Sequence, residues 1–336
     1  GGSVVRPLAG GAKPGWLVLS GSFGEAGSEL GHLDAPWGIT MLSSPSGALC
    51  VAERGGPRLQ IVQPGGFAGC GMDTTLDAAH CKALSLPAGA VDDVQDIYFD
   101  GEALWVADMG NHCVHRVGLP DGNTLSAISG EGAHELAYPR AIATQRRAAS
   151  APQPTVGPQL PEQLVFICDS GNGRVMAYDA ATFAHVRSIG TRSDPHEGAF
   201  VEGELALPLG VAAHNGEIYV VDAMKHRVSV FGASSGRYVR CIGEPGTGPG
   251  QLKSPFGVIV VRGMLLVTEA TRVQLFTLDG VLRLALQIPG AQNLSGVCAD
   301  VDEQHVYVCD TSRGCVYVLD VNWSDEGDRY AEQLNE

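Results

Sequence analysis

The feature that most limits the fold of this chain is an internal repeat. Six times, a short apolar segment ends in an acidic residue and is followed by a tight turn and a second apolar segment, most clearly at residues 165–175 and 218–228. These acidic residues lie roughly 40 to 60 positions apart, and they are Glu53, Asp108, Asp169, Asp222, Glu269 and Asp310. One such unit cannot bury its own apolar face, so the repetition predicts that several units pack together.

Each complete unit contains four predicted strands. A Pro-x-Gly turn opens three of the units, at residues 36–39, 208–211 and 255–258, and degenerate copies open the others at 94–97, 139–142 and 294–297. The second strand ends at the acidic residue, and the fourth leads through a Gly-rich link into the next unit. The 45 glycines and 19 prolines fit many tight turns between short strands. Four short antiparallel strands per unit describe a propeller blade, so we predict an all-β, six-bladed propeller.

The closure of the ring can also be predicted. The last unit, residues 294–320, supplies only three strands, whereas residues 16–20 look like an isolated fourth strand similar to residues 238–243. We therefore expect the N-terminal strand to complete the last blade, which removes free sheet edges. The expected organisation is a leader at 1–13, a single propeller at 14–321 and an acidic C-terminal tail at 322–336.

These motifs resemble those of the NHL repeat family. The resemblance rests on Pro-x-Gly-Val, on Val-Asp followed by His-Arg-Val, and on a Gly-rich link ending in Gly-Gln-Leu, and it is best at residues 208–231 and 243–276. It covers nearly the whole chain and implies a six-bladed propeller. Because that fold hosts binding modules and several unrelated enzymes, it implies little about activity.

Composition argues against some classes of partner. The chain has 22 Lys and Arg against 37 Asp and Glu, a formal net charge of −15. Nucleic-acid binding needs a basic surface, so we expect no nucleic-acid partner. RNA binding, as in some NHL proteins, would require a basic channel face. No apolar run is long enough to span a bilayer, so we expect no transmembrane segment.

The residues give no support for catalysis. The amidating lyase that resembles an NHL propeller places zinc-binding histidines just after the prolines that open its inner strands, but here those positions are Trp37, Arg140, Leu209 and Phe256. The calcium-site spacing of the gluconolactonase type is not found, and neither are common catalytic motifs. We predict no catalytic residue, no cofactor and no metal ligand. The rival hypothesis is a hydrolase or lyase with a divalent metal in the central channel.

The six repeated carboxylates favour a structural interpretation. Chemistry that happens once does not need six copies, whereas a carboxylate that caps a turn and meets partners such as Asn172, Arg174 or Arg227 is useful in every blade.

A candidate partner surface combines two features. The links between blades carry Glu131, Glu135, Glu197 and Glu202, and the middle residues of the Pro-x-Gly turns are Trp37, Arg140, Leu209 and Phe256. Two interpretations stay open: a solvated rim around a plugged channel, or an acidic face that attracts a partner with a basic segment and anchors it on exposed aromatic rings. We interpret the chain as a non-enzymatic protein-interaction scaffold, part of a larger complex or a longer chain.

The cysteines indicate the compartment. Seven of the nine lie within predicted strands, which predicts buried thiols and favours a reducing intracellular compartment. Cys70 and Cys81 lie in an apparent insertion at residues 63–93, and a disulfide between them would indicate an oxidising compartment instead. A second, Pro-rich insertion at 144–163 is either a docking arm or tolerated length.

Overall fold

The computed structural model describes residues 17–42, 47–54, 57–63, 74–84, 86, 91–119, 121–147, 161–193 and 201–322. It confirms the predicted architecture: six four-stranded antiparallel sheets form the blades of a propeller around a central channel. Within each blade the four strands are hydrogen-bonded side by side, and the first strand lies nearest the channel.

The strands follow the predicted repeat. Blade 1 contains β2 (Pro36–Leu42), β3 (Ala48–Glu53), β4 (Leu59–Val62) and β5 (Cys81–Leu84). Blade 2 contains β6 (Val94–Phe99), β7 (Leu104–Asp108), β8 (Cys113–Val117) and β9 (Thr124–Ile128). Blade 3 contains β10 (Pro139–Arg146), β11 (Gln163–Asp169), β12 (Arg174–Asp179) and β13 (His185–Ile189). Blade 4 contains β16 (Pro208–His214), β17 (Glu217–Asp222), β18 (Arg227–Gly232) and β19 (Tyr238–Ile242). Blade 5 contains β22 (Val258–Val261), β23 (Met264–Thr268), β24 (Arg272–Thr277) and β25 (Leu282–Gln287). Blade 6 contains β26 (Leu294–Ala299), β27 (His305–Asp310), β28 (Cys315–Val321) and β1 (Leu17–Phe23).

Shorter elements lie in the links and turns. Two-residue parallel ribbons join β14 (Thr191–Arg192) to β15 (Glu204–Leu205) and β20 (Glu244–Pro245) to β21 (Gln251–Leu252). The described residues also form four single-turn 3₁₀ helices, at Ala78–His80, Gly132–His134, Ser170–Asn172 and Ala223–Lys225. No helix in the described part of the chain is long and apolar enough to cross a membrane.

The N-terminal strand closes the ring as expected. Strand β1 pairs antiparallel with β28, with Leu17 opposite Val321 and Phe23 opposite Val316. Trp16, which the sequence also assigned to this strand, lies outside the described residues. The first and last strands of the propeller thus share one sheet, and β1 covers the edge that β28 would otherwise leave unpaired.

The core is divided among the six blade interfaces. Six apolar clusters each pack residues from two neighbouring blades; the one between blades 6 and 1, for example, contains Phe23, Ile39, Leu49 and Val316. Strands β3 and β7 are buried at every position because neighbouring blades cover both faces of the sheet. This is why the second strands are continuously apolar rather than alternating.

Two expectations from the sequence were wrong in part. Residues 63–93 are not simply an insertion, because they contain β5, the fourth strand of blade 1. Of the seven strand cysteines, five are buried, but Cys298 is half-buried beside the channel and Cys241 is exposed. Cys241 lies on the outermost strand of blade 4, where no further strand covers it. Cys70 lies outside the described residues, so the question of a disulfide between Cys70 and Cys81 stays open.

Candidate functional site

The Pro-x-Gly residues meet at one end of the channel. Every inner strand begins at this end, so Trp37, Arg140, Leu209 and Phe256 converge on a shallow cup of about 60 Å³. We call this cup the channel mouth. All four side chains are half-buried. Gln95 and Ser295 complete the wall from the degenerate copies of the motif.

Aromatic and cationic groups lie close together at the mouth. The rings of Trp37 and Phe256 meet edge to face, with centroids 5.8 Å apart and an interplanar angle of 90°. The guanidinium of Arg54 lies 4.6 Å from the centroid of the Trp37 ring. Arg140 donates from Nη1 to Oε1 of Gln95 at 3.1 Å, and burial together with nearby Arg54 lowers its pKa. The mouth therefore combines apolar rings with two guanidinium groups, one of which lies over the Trp37 ring.

Glutamates lie in the links that reach the same face. Glu131, Glu135 and Glu202 are exposed, whereas Glu197 lies outside the described residues. The link carrying the first two is held in place by Arg174, which donates to the carbonyl oxygens of Ala133 at 2.8 Å and Glu135 at 3.0 Å. The carboxylates of Glu131 and Glu135 themselves form no ion pair with another described residue.

The six repeated carboxylates have one arrangement in common. Each accepts the backbone N–H of the residue two positions before its inner strand or Pro-x-Gly turn. The donors, in blade order, are Asp34, Asp92, Ala137, Ala206, Lys253 and Gln292, at 2.6 to 3.3 Å. These bonds join the end of each second strand to the link that enters the blade. In four blades an arginine also pairs with the carboxylate: Arg58, Arg174, Arg227 and Arg272.

Asp96 is a residue whose position the sequence did not reveal as special. It replaces the glycine of the Pro-x-Gly motif in blade 2 and lies between the channel mouth and a larger cavity of about 370 Å³ beyond it. Its Oδ2 accepts the backbone N–H of Ile142 in blade 3 at 3.0 Å. Burial raises its pKa to about 7, although this hydrogen bond acts in the opposite direction. In the sequence, the only feature that could have drawn attention to Asp96 was an aspartate at the glycine position of the motif.

The larger cavity is acidic. Its polar wall includes Thr40, Tyr98, His214, Asp300 and Glu303, and the rest is mainly Val, Ile and Ala. No lysine or arginine lines it among the described residues. Asp96 is half-buried in this wall, and a carboxylate with a raised pKa in such a place is suited to proton transfer or to binding a cationic group.

A third cluster lies away from the channel, at the end of the second strand of blade 2. His115 Nε2 lies 3.1 Å from Oδ2 of Asp108 and 3.2 Å from Sγ of Cys113. The hydrogen bond to Asp108, and then that to Cys113, raises the pKa of His115 to about 9. Burial acts to raise the pKa of Asp108, but hydrogen bonds from His115 and Asn111 hold it below its usual value. From the sequence, Asp108 was predicted to be one of the repeated carboxylates and Cys113 to be a buried strand thiol, whereas no role was predicted for His115.

The architecture and its channel place this chain in the class of six-bladed β-propellers. A family model described as 6-bladed beta-propeller (DUF5128) matches residues 205–260. No curated protein sequence matches the chain.

Several solved structures share the fold. A streptogramin B lyase is 13% identical with a TM-score of 0.58, covering 92% of this chain and 100% of that one. The gluconolactonase XC5397 from Xanthomonas campestris is 17% identical with a TM-score of 0.58, covering 94% and 99%. A chain of a nidogen/laminin complex is 13% identical with a TM-score of 0.54, covering 78% and 83%. At these identities the similarity extends to the fold alone.

Proposed function

We propose that this protein is a non-enzymatic interaction module, built on an NHL-like propeller, that binds a protein partner at the channel mouth. The supporting observation is the pair of half-buried rings, Trp37 and Phe256, in edge contact at an opening that also exposes Leu209. Rigid aromatic side chains at the centre of a surface are typical anchors of protein interfaces.

Charge defines the kind of partner. The exposed side chains of Glu131, Glu135 and Glu202 would attract basic residues, which increases the rate of association more than the affinity. Arg54 and Arg140 would repel a basic residue at the centre. The partner segment that fits best therefore carries an apolar residue for the mouth and basic residues on either side of it.

The second candidate is an enzyme of the hydrolase or lyase type. The observation in its favour is Asp96, between the channel mouth and the acidic cavity, with a pKa of about 7. The channel metal of the original rival hypothesis has weaker support. Among the described residues, the group of three His, Cys, Asp or Glu side chains close enough to share one ion is Asp108, Cys113 and His115, outside the channel.

Panning a random-peptide display library against the intact chain tests the proposal. We expect the enriched peptides to pair an apolar residue with flanking Lys or Arg, and to bind less tightly as salt concentration rises. Trp37→Ala and Phe256→Ala should each weaken binding at least tenfold, about 1.4 kcal/mol. Leu125→Ala is the control, because Leu125 is 58% exposed on the outermost strand of blade 2, away from the mouth.

The outcomes separate the two candidates. Enriched peptides that bind Trp37→Ala and the unchanged protein equally well would contradict the interaction hypothesis. Hydrolysis of lactone or ester substrates that is lost in Asp96→Asn but kept in Trp37→Ala would favour the enzyme instead.

A further inference from the structure

The six blades differ at one position that faces the repeated carboxylate. The first residue of the third strand, or the residue just before it, is arginine in four blades, where it forms an ion pair with the carboxylate at 2.7 to 3.8 Å. In blades 2 and 6 this position is Cys113 and Cys315, each opposite its aspartate in the strand register. Two of the six carboxylates have therefore lost the arginine and face a thiol.

Blade 2 differs from blade 6 two residues further along the strand. There blade 2 has His115, whereas blade 6 has Tyr317. His115 is 6% exposed, and its Nε2 lies between Sγ of Cys113 and Oδ2 of Asp108, at 3.2 and 3.1 Å. The three atoms all lie within 4.8 Å of one another, and this is the one such group in the described part of the chain.

We propose that Asp108, Cys113 and His115 form a binding site for a divalent metal ion of the zinc class. A thiolate, an imidazole and a carboxylate are the ligands that Zn²⁺ prefers, and a water molecule would complete a tetrahedron. In such a tetrahedron the ligand atoms are about 3.3 to 3.6 Å apart, given bonds of about 2.0 to 2.3 Å. The two distances from Nε2 of His115, 3.1 and 3.2 Å, need an expansion of a few tenths of an ångström, and Sγ of Cys113 and Oδ2 of Asp108, which lie within 4.8 Å of each other, must reach the same spacing.

The surroundings of the carboxylate favour this role. Asn111 donates from Nδ2 to Oδ2 of Asp108 at 2.8 Å, and its backbone N–H donates to Oδ1 at 3.1 Å. Neighbours of this kind orient a carboxylate ligand and keep it ionised. Metal binding must release the thiol proton of Cys113 and the Nε2 proton of His115, so the affinity should rise with pH.

Titration of the full chain, stripped of metal with a chelator, with Co²⁺ tests the site. Cobalt reports a bound thiolate directly through a charge-transfer absorption band. We expect one Co²⁺ per chain with this band, displacement of Co²⁺ by Zn²⁺, and a higher Tm with either ion. Cys113→Ser should abolish the band, and His115→Gln should weaken binding at least about tenfold.

The repeat supplies two matched variants. Cys315→Ser changes the corresponding cysteine of blade 6 and should leave the band unchanged. Cys113→Arg restores the carboxylate–arginine pair of four other blades, so it should keep the fold, as judged by circular dichroism, and lose the band.

Three results would overturn the proposal: no cobalt band in the unchanged chain, a band that persists in Cys113→Ser or Cys113→Arg, or a band that Cys315→Ser removes. The first would mean that His115, as an imidazolium, only replaces the positive charge of the missing arginine. The others would assign the metal to different thiols of this chain.

Discussion

Arg174 donates from Nε to Oδ2 of Asp169 at 2.7 Å, joining the second and third strands of blade 3 at the face that bears the channel mouth. The same carboxylate accepts the backbone N–H of Ala137 and the side-chain amide of Asn172. One fully buried group thus holds the inner link, the turn and the third strand together.

We expect Asp169→Asn to destabilise the protein by about 2 to 4 kcal/mol, since the amide leaves the Arg174 charge without its partner and directs N–H groups toward other donors. Urea unfolding measures this loss. Glu102→Gln is the control, because Glu102 and Arg146 form an exposed pair at 3.0 Å. That change should cost less than about 1 kcal/mol. Equal losses in the two variants would show that the buried carboxylate has no special structural role.

Asp96 should make the free energy of unfolding fall as pH rises, whereas a carboxylate in an ordinary ion pair loses stability as pH falls. Its pKa is about 7 in the folded chain and near 3.8 when exposed. The folded state therefore holds the proton more tightly, and this contribution to stability is complete below about pH 4 and is lost as pH rises through 7. Asp96→Asn removes the ionisation, so its Tm relative to the unchanged chain should rise between pH 4 and 8.

The expected difference is about 1 to 2 kcal/mol at pH 8, less than the full shift implies because Asp96 is only half-buried in the wall of the channel. Asp302→Asn, at an exposed turn, is the control and should show no such trend. A difference that stays constant with pH, or that falls above pH 7, would contradict the assignment of a raised pKa to Asp96.

Gly296 occupies the tightest point between neighbouring inner strands. A Cβ atom there would lie 2.1 Å from the carbonyl oxygen of Trp37 in blade 1. We expect Gly296→Ala to cost at least about 2 kcal/mol in denaturant unfolding, because the backbones of blades 6 and 1 must separate. Blade 3 carries Ala141 at the corresponding position, so Ala141→Gly should cost about 1 kcal/mol or less. If Gly296→Ala leaves the free energy of unfolding unchanged, the inner strands are not packed this closely.

Closure by β1 can be tested with two changes in one strand. Phe23 is fully buried between blades 6 and 1, whereas Val18 is 42% exposed. Phe23→Ala should cost about 3 to 5 kcal/mol through the cavity that it leaves. Val18→Ala should cost less than about 1 kcal/mol. Hydrogen exchange should show the loss of protection in β28, the partner of β1, as well as in β1 itself; protection in β28 that does not change would argue against closure.

The fold was predictable because its information is local and repeated. The blades and their number follow from repeated apolar runs that end in an acidic residue, such as Asp169 or Asp222. The closure follows from a spare strand before residue 24 and a three-stranded unit at the other end of the chain. Packing of one blade against the next then needs only apolar strands, which sequence patterns show directly.

The site depended on the tertiary structure, because it is made of residues that are distant in sequence or on faces that a pattern does not reveal. Trp37 and Phe256 meet only because the ring closes, and the place of Asp96 between mouth and cavity depends on how neighbouring inner strands approach. Likewise, the exposure of Cys241 and the meeting of Asp108, Cys113 and His115 depend on side-chain direction and strand register. The sequence by itself determined the ring and its repeated carboxylates, whereas the three-dimensional packing alone decided which of the variable residues share a site.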